Sequence, residues 1–268
     1  LNDLAVGFRA GKASANDWQA WLTTLAANWN QQRVSFNRSH LAMDSEKIFL
    51  SVPELDLDEV NSQILSVGVL NEKLSAVLSD LAPKGLLHNV KVDIPKPAES
   101  APATPLFRLR AEMEDVEVSP WTGAPGATGV SGYLSMEPNN GKVELNSDNF
   151  SMEFPLVYHE PLKFSSAFGQ VHWSIEGGRV LVDSSPLQLT ASEHGPATVL
   201  LDLDLNTDSA AEIPPQMTLT VGLRDTAAKY RNKFIPYTLS PDFLSWMDVA
   251  VPSGHVIDGG FIYRGSLR

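Results

Sequence analysis

Leu201-Asp202-Leu203-Asp204-Leu205 and Met217-Thr218-Leu219-Thr220-Val221 alternate strictly between hydrocarbon and polar side chains. In a strand, residues i and i+2 share a face. Each segment therefore has one wholly apolar side and one side of carboxylates or hydroxyls. Laid next to one another, such strands make a long apolar surface. The functional question is what covers that surface: a second layer of the same chain, or a ligand.

Working outward, the alternation recurs as hairpins. Gly132-Tyr133-Leu134-Ser135-Met136 reads as a strand, Pro138-Asn139-Asn140-Gly141 as a turn, and Lys142-Val143-Glu144-Leu145 as the return strand. Gly169 to Ile175, the turn Glu176-Gly177-Gly178, and Arg179 to Val182 repeat the plan, and a third copy begins at Gly254-His255-Val256. Stacked hairpins of this kind can be added without limit. Upstream, Phe107, Leu109, Ala111 and Met113 alternate with charged residues, but Val116 and Val118 fall on the opposite phase. That slip predicts a bulge or strand end between them.

The first third is more mixed. Trp18, Trp21, Leu22, Leu25 and Trp29 fall at helical spacing behind Ser14 and Asn16 as caps, yet Trp18, Ala20 and Leu22 also suit one face of a strand. Lys47 to Val52 reads as a short strand. Asp56 reads as an N-cap for a helix pair over residues 56–82, with Val60, Ile64 and Val67, then Leu74, Val77, Leu78 and Leu81, on one face. Pro83-Lys84-Gly85 stops it, and Val90, Val92 and Ile94 form the next strand. Prolines at 95, 97, 102 and 105 make 95–105 an extended surface loop. Near the end, Ser240 caps a helix over 241–250, with Pro241 first, Asp242 at the positive end, and Phe243, Leu244 and Met247 as its stripe. The organisation expected is residues 1–94 as strands plus the helix pair, the 95–105 loop, and 106–268 as repeating antiparallel hairpins with one helix. All of it reads as one continuous elongated unit.

Composition narrows the function. A 43% hydrophobic content over 268 residues supports a sizeable core. The net charge of −12 and the lack of a basic stripe argue against nucleic acid and against docking on anionic headgroups. Zero cysteines exclude disulfides, thiolate metal sites and cysteine catalysis. No run approaches the roughly 20 apolar residues of a membrane span. The opening residues do not read as a signal peptide. The chain opens on Leu1 and ends within what reads as a strand, so it reads as a piece of a longer protein, with room for an anchor outside it.

Candidate chemical motifs resolve to plainer readings. Gly123, Gly126, Gly129 and Gly132 imitate collagen spacing, but four triplets are too few, and a flexible loop entering a strand is expected. Gly7-Phe8-Arg9-Ala10-Gly11-Lys12 is one residue short of a phosphate loop and lacks the following Ser or Thr. Asp202 to Asp208 has calcium-loop spacing, but Thr207 replaces the required glycine and Ile213 the bidentate Glu. The histidines at 40, 88, 159, 172, 194 and 255 never pair at metal-ligand spacing. Gly129-Val130-Ser131-Gly132 is one residue short of a nucleophile elbow. The abundant acids read as solvated strand faces. No enzyme, cofactor or metal is expected.

Several segments stand in a distinctive order. They are Leu81-Ala82-Pro83-Lys84-Gly85 closing a helix pair; Gly126 to Gly132 with Leu134, then Gly141, Val143, Glu144, Leu145, Asn146 and Ser147; and Phe154-Pro155 with Glu160-Pro161-Leu162. Lys233-Phe234-Ile235-Pro236, the helix to Met247, and Gly254-His255-Val256-Ile257-Asp258-Gly259 complete the set. Together they resemble the YhdP family, very large AsmA-like proteins of Gram-negative bacteria. The resemblance spans nearly the whole chain and is weakest before Leu55.

The resemblance implies an inner-membrane-anchored periplasmic protein. Its fold would be mainly β with a few short helices: an elongated, twisted antiparallel sheet curved into an apolar groove, flanked or capped by helices. It further implies phospholipid acyl chains as cargo between inner and outer membranes, contacts with both membranes through parts outside this chain, and further periplasmic or membrane protein partners. By the same analogy, Trp18 to Trp29 is strand. The groove residues expected are the inward alternates Leu134, Met136, Val143, Leu145, Val171, Trp173, Val180, Val182, Leu187, Leu189, Leu201, Leu203, Leu205, Met217, Leu219 and Val221. The alternatives are a closed, non-catalytic β-sandwich serving as a structural or glycan/protein-binding module, and a carbohydrate-active enzyme with two convergent carboxylates.

Overall fold

A computed structural model describes residues 2–14, 17–29, 32–59, 78–96, 107–191, 195–206 and 214–267. Among them lies one 16-stranded antiparallel sheet whose order largely follows the chain. Strands β1 (Asn2–Ser14), β2 (Asp17–Trp29), β3 (Gln32–Met43), β4 (Lys47–Asp56), β5 (Lys84–Pro95), β6 (Arg108–Val118), β7 (Gly126–Glu137) and β8 (Asn140–Asp148) are consecutive neighbours. The order continues through β11 (Ser166–Glu176), β12 (Arg179–Ser184), β14 (Ala197–Asn206), β15 (Gln216–Ala227) and β16 (His255–Ser266). The short β9 (Ser151–Glu153), β10 (Leu162–Lys163) and β13 (Leu187–Thr190) pair beside this path. A 3₁₀ turn (Ala228–Tyr230), helix α1 (Arg231–Phe234) and helix α2 (Pro241–Ala250) interrupt the last hairpin.

The chain divides into two compact units, residues 1–79, 83–114 and 133–141 in the first, and 80–82, 115–132 and 142–268 in the second. In the first unit, Trp18 to Trp29 is strand, paired along both edges with β1 and β3. The helical spacing of its tryptophans yields to ladder pairing, since β1, β2 and β3 can satisfy one another's backbone groups. The motif at Gly7–Lys12 is likewise plain strand in β1. β4 runs past Val52 to Asp56, whose carboxylate then accepts the N–H groups of Asp58 (2.9 Å) and Glu59 (3.4 Å), as an N-cap does. Residues 57–59 and 78–81 are helical, whereas the interior of the expected helix pair and most of the proline-rich loop lie outside the described residues.

Long strands here change face along their length. Buried Leu87 and Val90 flank Asn89 (φ 51°) in β5, and Val52 and Leu55 flank Pro53 opposite. On β6 the switch falls between buried Met113 and Val116, at Asp115 (φ 48°), where the alternation slips. On β15 it falls at Asp225 (φ 56°), between Leu223 and buried Thr226. One left-handed residue resets which face the following side chains occupy.

The glycine triplets correct the sequence expectation. Gly126, Gly129 and Gly132 lie inside β7, and only Gly123 precedes it. A side chain at Gly129 would meet the Asn149 carbonyl and one at Gly132 would overlap that of Glu144. These glycines serve close backbone approach, not loop flexibility.

In the second unit the hairpin plan holds. Gly177 and Gly178 take φ of 57° and 81°, the conformation of a two-residue turn twisted like its strands. Register places Trp173 opposite Val182, Val182 opposite Leu203, and Leu203 opposite Met217. Leu201 faces Leu219, and Val199 faces Val221, so one apolar face runs unbroken across β11, β12, β14 and β15. Asp202 and Asp204 point the other way, and Arg179 Nε donates to Asp204 at 2.8 Å. The first acids of the calcium-like spacing are thus the outer face of a strand, and its remainder lies outside the described residues.

Candidate functional site: an apolar cavity and its basic neighbour

The alternation of β15 continues one step beyond the residues first noted, from Met217, Leu219 and Val221 to Leu223. β16 answers with Tyr263 opposite Leu219, Phe261 opposite Val221 and Gly259 opposite Leu223. Between these strands the chain makes an excursion through α1 and α2. Ser240 Oγ accepts the Phe243 N–H (3.3 Å), Pro241 occupies the first turn, and Asp242 complements the dipole, as the sequence predicts. No α2 residue is buried: Leu244 and Met247 are half-buried, whereas Phe243, Trp246 and Val249 are exposed.

A cavity of about 460 Å³ lies between this excursion and the apolar face. Leu223, Phe261 and Tyr263 line it from the strands, and Phe234, Leu239 and Met247 from the excursion. Among its lining residues only Arg231 is charged, and that guanidinium is held by Asp248 at 2.6 Å. The space has hydrocarbon walls and falls in the ordinary size range of ligand pockets.

A second chain segment fixes the excursion. The Val157 and Tyr158 N–H groups both donate to the Phe154 carbonyl, closing a tight turn. From that turn Tyr158 Oη donates to the Phe234 carbonyl (3.1 Å). In return Tyr237 Oη donates to the Pro155 carbonyl (2.7 Å), and its N–H to that of Val157 (3.1 Å). Burial pushes the Tyr158 phenol well above its ordinary 10.0. The Phe154-Pro155 and Phe234-Ile235-Pro236 motifs, far apart in sequence, are therefore one structural joint.

Beside that joint is a larger cavity of about 930 Å³. Lys163, Lys229, Lys233, His159, Glu160 and Tyr230 contribute its polar lining. The Lys229 and Lys233 ammonium groups lie 4.7 and 5.6 Å from the centroid of the Tyr230 ring. His159 stacks on Tyr237 with 4.1 Å between centroids. Phe234 and Ile235 line both cavities, which adjoin there.

Of the expected groove residues, Leu145, Val180, Leu187, Leu189, Leu201, Leu203, Leu205, Met217, Leu219 and Val221 are buried, whereas Leu134, Met136, Val143, Val171, Trp173 and Val182 are half-buried. In the second unit burial is deepest on β14 and β15 and shallower on β11. The histidines are scattered among local partners. His40 lies between Trp21 and Phe49, His88 contacts Glu54 and Glu114, His172 meets Asp183, and His255 meets Asp225. His194 falls outside the described residues. Among the described residues, no three His, Asp or Glu side chains converge as a metal site. The two cavities were missed because their walls come from segments distant in sequence. The Leu223 and Phe261 alternates, the Phe243 and Met247 helix stripe and the Phe234-Ile235-Pro236 motif were readable singly, but not their convergence.

One large antiparallel sheet with short helices defines the class, a mainly β protein. A family model described as YhdP protein matches residues 2–268, and the chain belongs to the YhdP family. Neither a curated protein nor a solved structure matches it. Among the described residues no helix is long and apolar enough to cross a membrane.

Proposed function

We propose that this chain is a segment of a periplasmic lipid conduit in a protein anchored in the inner membrane. Its apolar face would shield phospholipid acyl chains in transit between inner and outer membranes and so support the outer-membrane barrier. The observation that carries this reading is the in-register apolar face of β11 to β15 continuing onto β16 and ending on a 460 Å³ hydrocarbon-walled cavity. Hydrophobic burial is non-directional. Each buried methylene contributes about 0.8 kcal/mol. A chain sliding along a uniform face exchanges equivalent contacts, so retention is strong and movement cheap. Family membership supports the same reading, and no catalytic role is assigned.

The near-complete burial of the inward residues on β14 and β15 favours a second reading, a closed non-catalytic module for structure or recognition. Native mass spectrometry with organic extraction separates the two. Leu203 and Leu219 are only 4% and 3% exposed, so a charge at either would disrupt the core instead of testing the cavity. Met247→Trp is the better probe, since it adds apolar bulk to the cavity from a helix with no buried residue. The conduit reading expects co-purified phospholipid that falls several-fold in Met247→Trp at unchanged circular dichroism. A lipid-free wild-type chain that is compact in small-angle scattering would establish the closed module instead.

A further inference from the structure

We propose that the 930 Å³ cavity is a subsite for the phosphate of an anionic amphiphile whose acyl chain occupies the adjoining apolar cavity. This rests on the lipid reading above and adds a headgroup preference to it. The first observation is charge. In a chain of net charge −12, three lysines line one cavity against the single carboxylate of Glu160. Among the described residues, no carboxylate pairs with Lys163 or Lys229.

The second observation is placement. Lys229 and Lys233 both place their ammonium groups near the Tyr230 ring that lines this cavity, at 4.7 and 5.6 Å from its centroid. Lys229, an exposed cation beside this half-buried ring, gains on meeting an anion. Lysine suits this task as a compact point charge with rotatable donors.

The third is adjacency. Phe234 and Ile235 line both the hydrocarbon cavity and the lysine cavity, so the two adjoin there. The Tyr158 and Tyr237 hydrogen bonds hold that segment in place. An apolar compartment adjoining a cationic one matches a molecule with a hydrocarbon tail and a phosphate head. Free phosphate would use only half of the arrangement.

The test measures binding to the whole chain, below micellar concentrations, of lysophosphatidylglycerol, a monoacylglycerol of the same acyl chain, and glycerol 3-phosphate. Lysophosphatidylglycerol should bind about tenfold or more tighter than the monoacylglycerol, the gain expected of one charge-assisted contact. Lys163→Gln with Lys229→Gln, both at exposed positions, should shrink that ratio to within about twofold. Monoacylglycerol affinity should not change. Equal affinities in the wild type, or a ratio that survives the double substitution, would overturn the headgroup subsite and leave the conduit standing. Glycerol 3-phosphate binding as tightly as the lysolipid would make this a free-phosphate site and overturn the amphiphile. If neither amphiphile binds, the lipid reading itself falls.

Discussion

At the scale of single residues, backbone proximity sets the strongest constraints. Gly132 sits at φ 141°, and a Cβ there would overlap the Glu144 carbonyl. Next to it, the Ser131 N–H donates to Ser147 Oγ (2.8 Å), which donates back to the Ser131 carbonyl (3.1 Å). Gly132→Ala should therefore cost about 3 kcal/mol or more, read as a lowered urea midpoint. The glycine spacing was visible in the sequence, but its cause was not, because the crowding backbone belongs to another strand. Asp93 offers an electrostatic case. Its hydrogen bond to Lys47 (3.0 Å), then that to Arg110 (3.0 Å), holds its carboxyl below the ordinary 3.8. A depressed carboxylate stabilises the fold above its unfolded-state value and loses that contribution as pH falls through the folded-state value. Asp93→Asn should cost about 0.5–1 kcal/mol at pH 7. The difference from wild type should vanish under strongly acidic conditions when denaturation curves are compared across pH.

At the scale of elements, what was legible depended on whether the signal was local. Strict alternation located β14 and β15, two glycines located the β11–β12 turn, and Ser240-Pro241-Asp242 located α2, because each pattern acts on its own backbone. The slip after Met113 was equally readable. The changes of face at Asn89 and Asp225 were not, since clear apolar alternation marks only one side of each, Val90, Val92 and Ile94 after Asn89 and Met217 to Leu223 before Asp225. The joint between the 154–158 turn and the 234–237 segment left no local trace at all, although both halves appear as motifs. Tyr158 supplies its test. Tyr158→Phe removes the hydrogen bond to the Phe234 carbonyl and should cost about 1 kcal/mol. Because burial raises the phenol's pKa, the unfolded chain ionises above pH 10.0 while the folded chain resists. Stability is then fully present below that value and declines as pH rises beyond it. Denaturation at pH 8 and pH 11 should show wild type losing ground that the Phe variant keeps at this position.

At the scale of the whole molecule, class and family were legible because they rest on repetition and order, which survive without knowledge of distant contacts. The cavities were not, since each assembles walls from residues far apart in the chain. The sheet order carries one more consequence. Most strands hydrogen-bond to the strand just before or just after them, so pairing rarely waits for a distant partner. Short closures lose little chain entropy, and each finished hairpin offers an edge on which the next can form. During synthesis such a sheet can assemble strand by strand behind the ribosome. In evolution it can lengthen or shorten by whole hairpins, leaving the pairing of those that remain undisturbed.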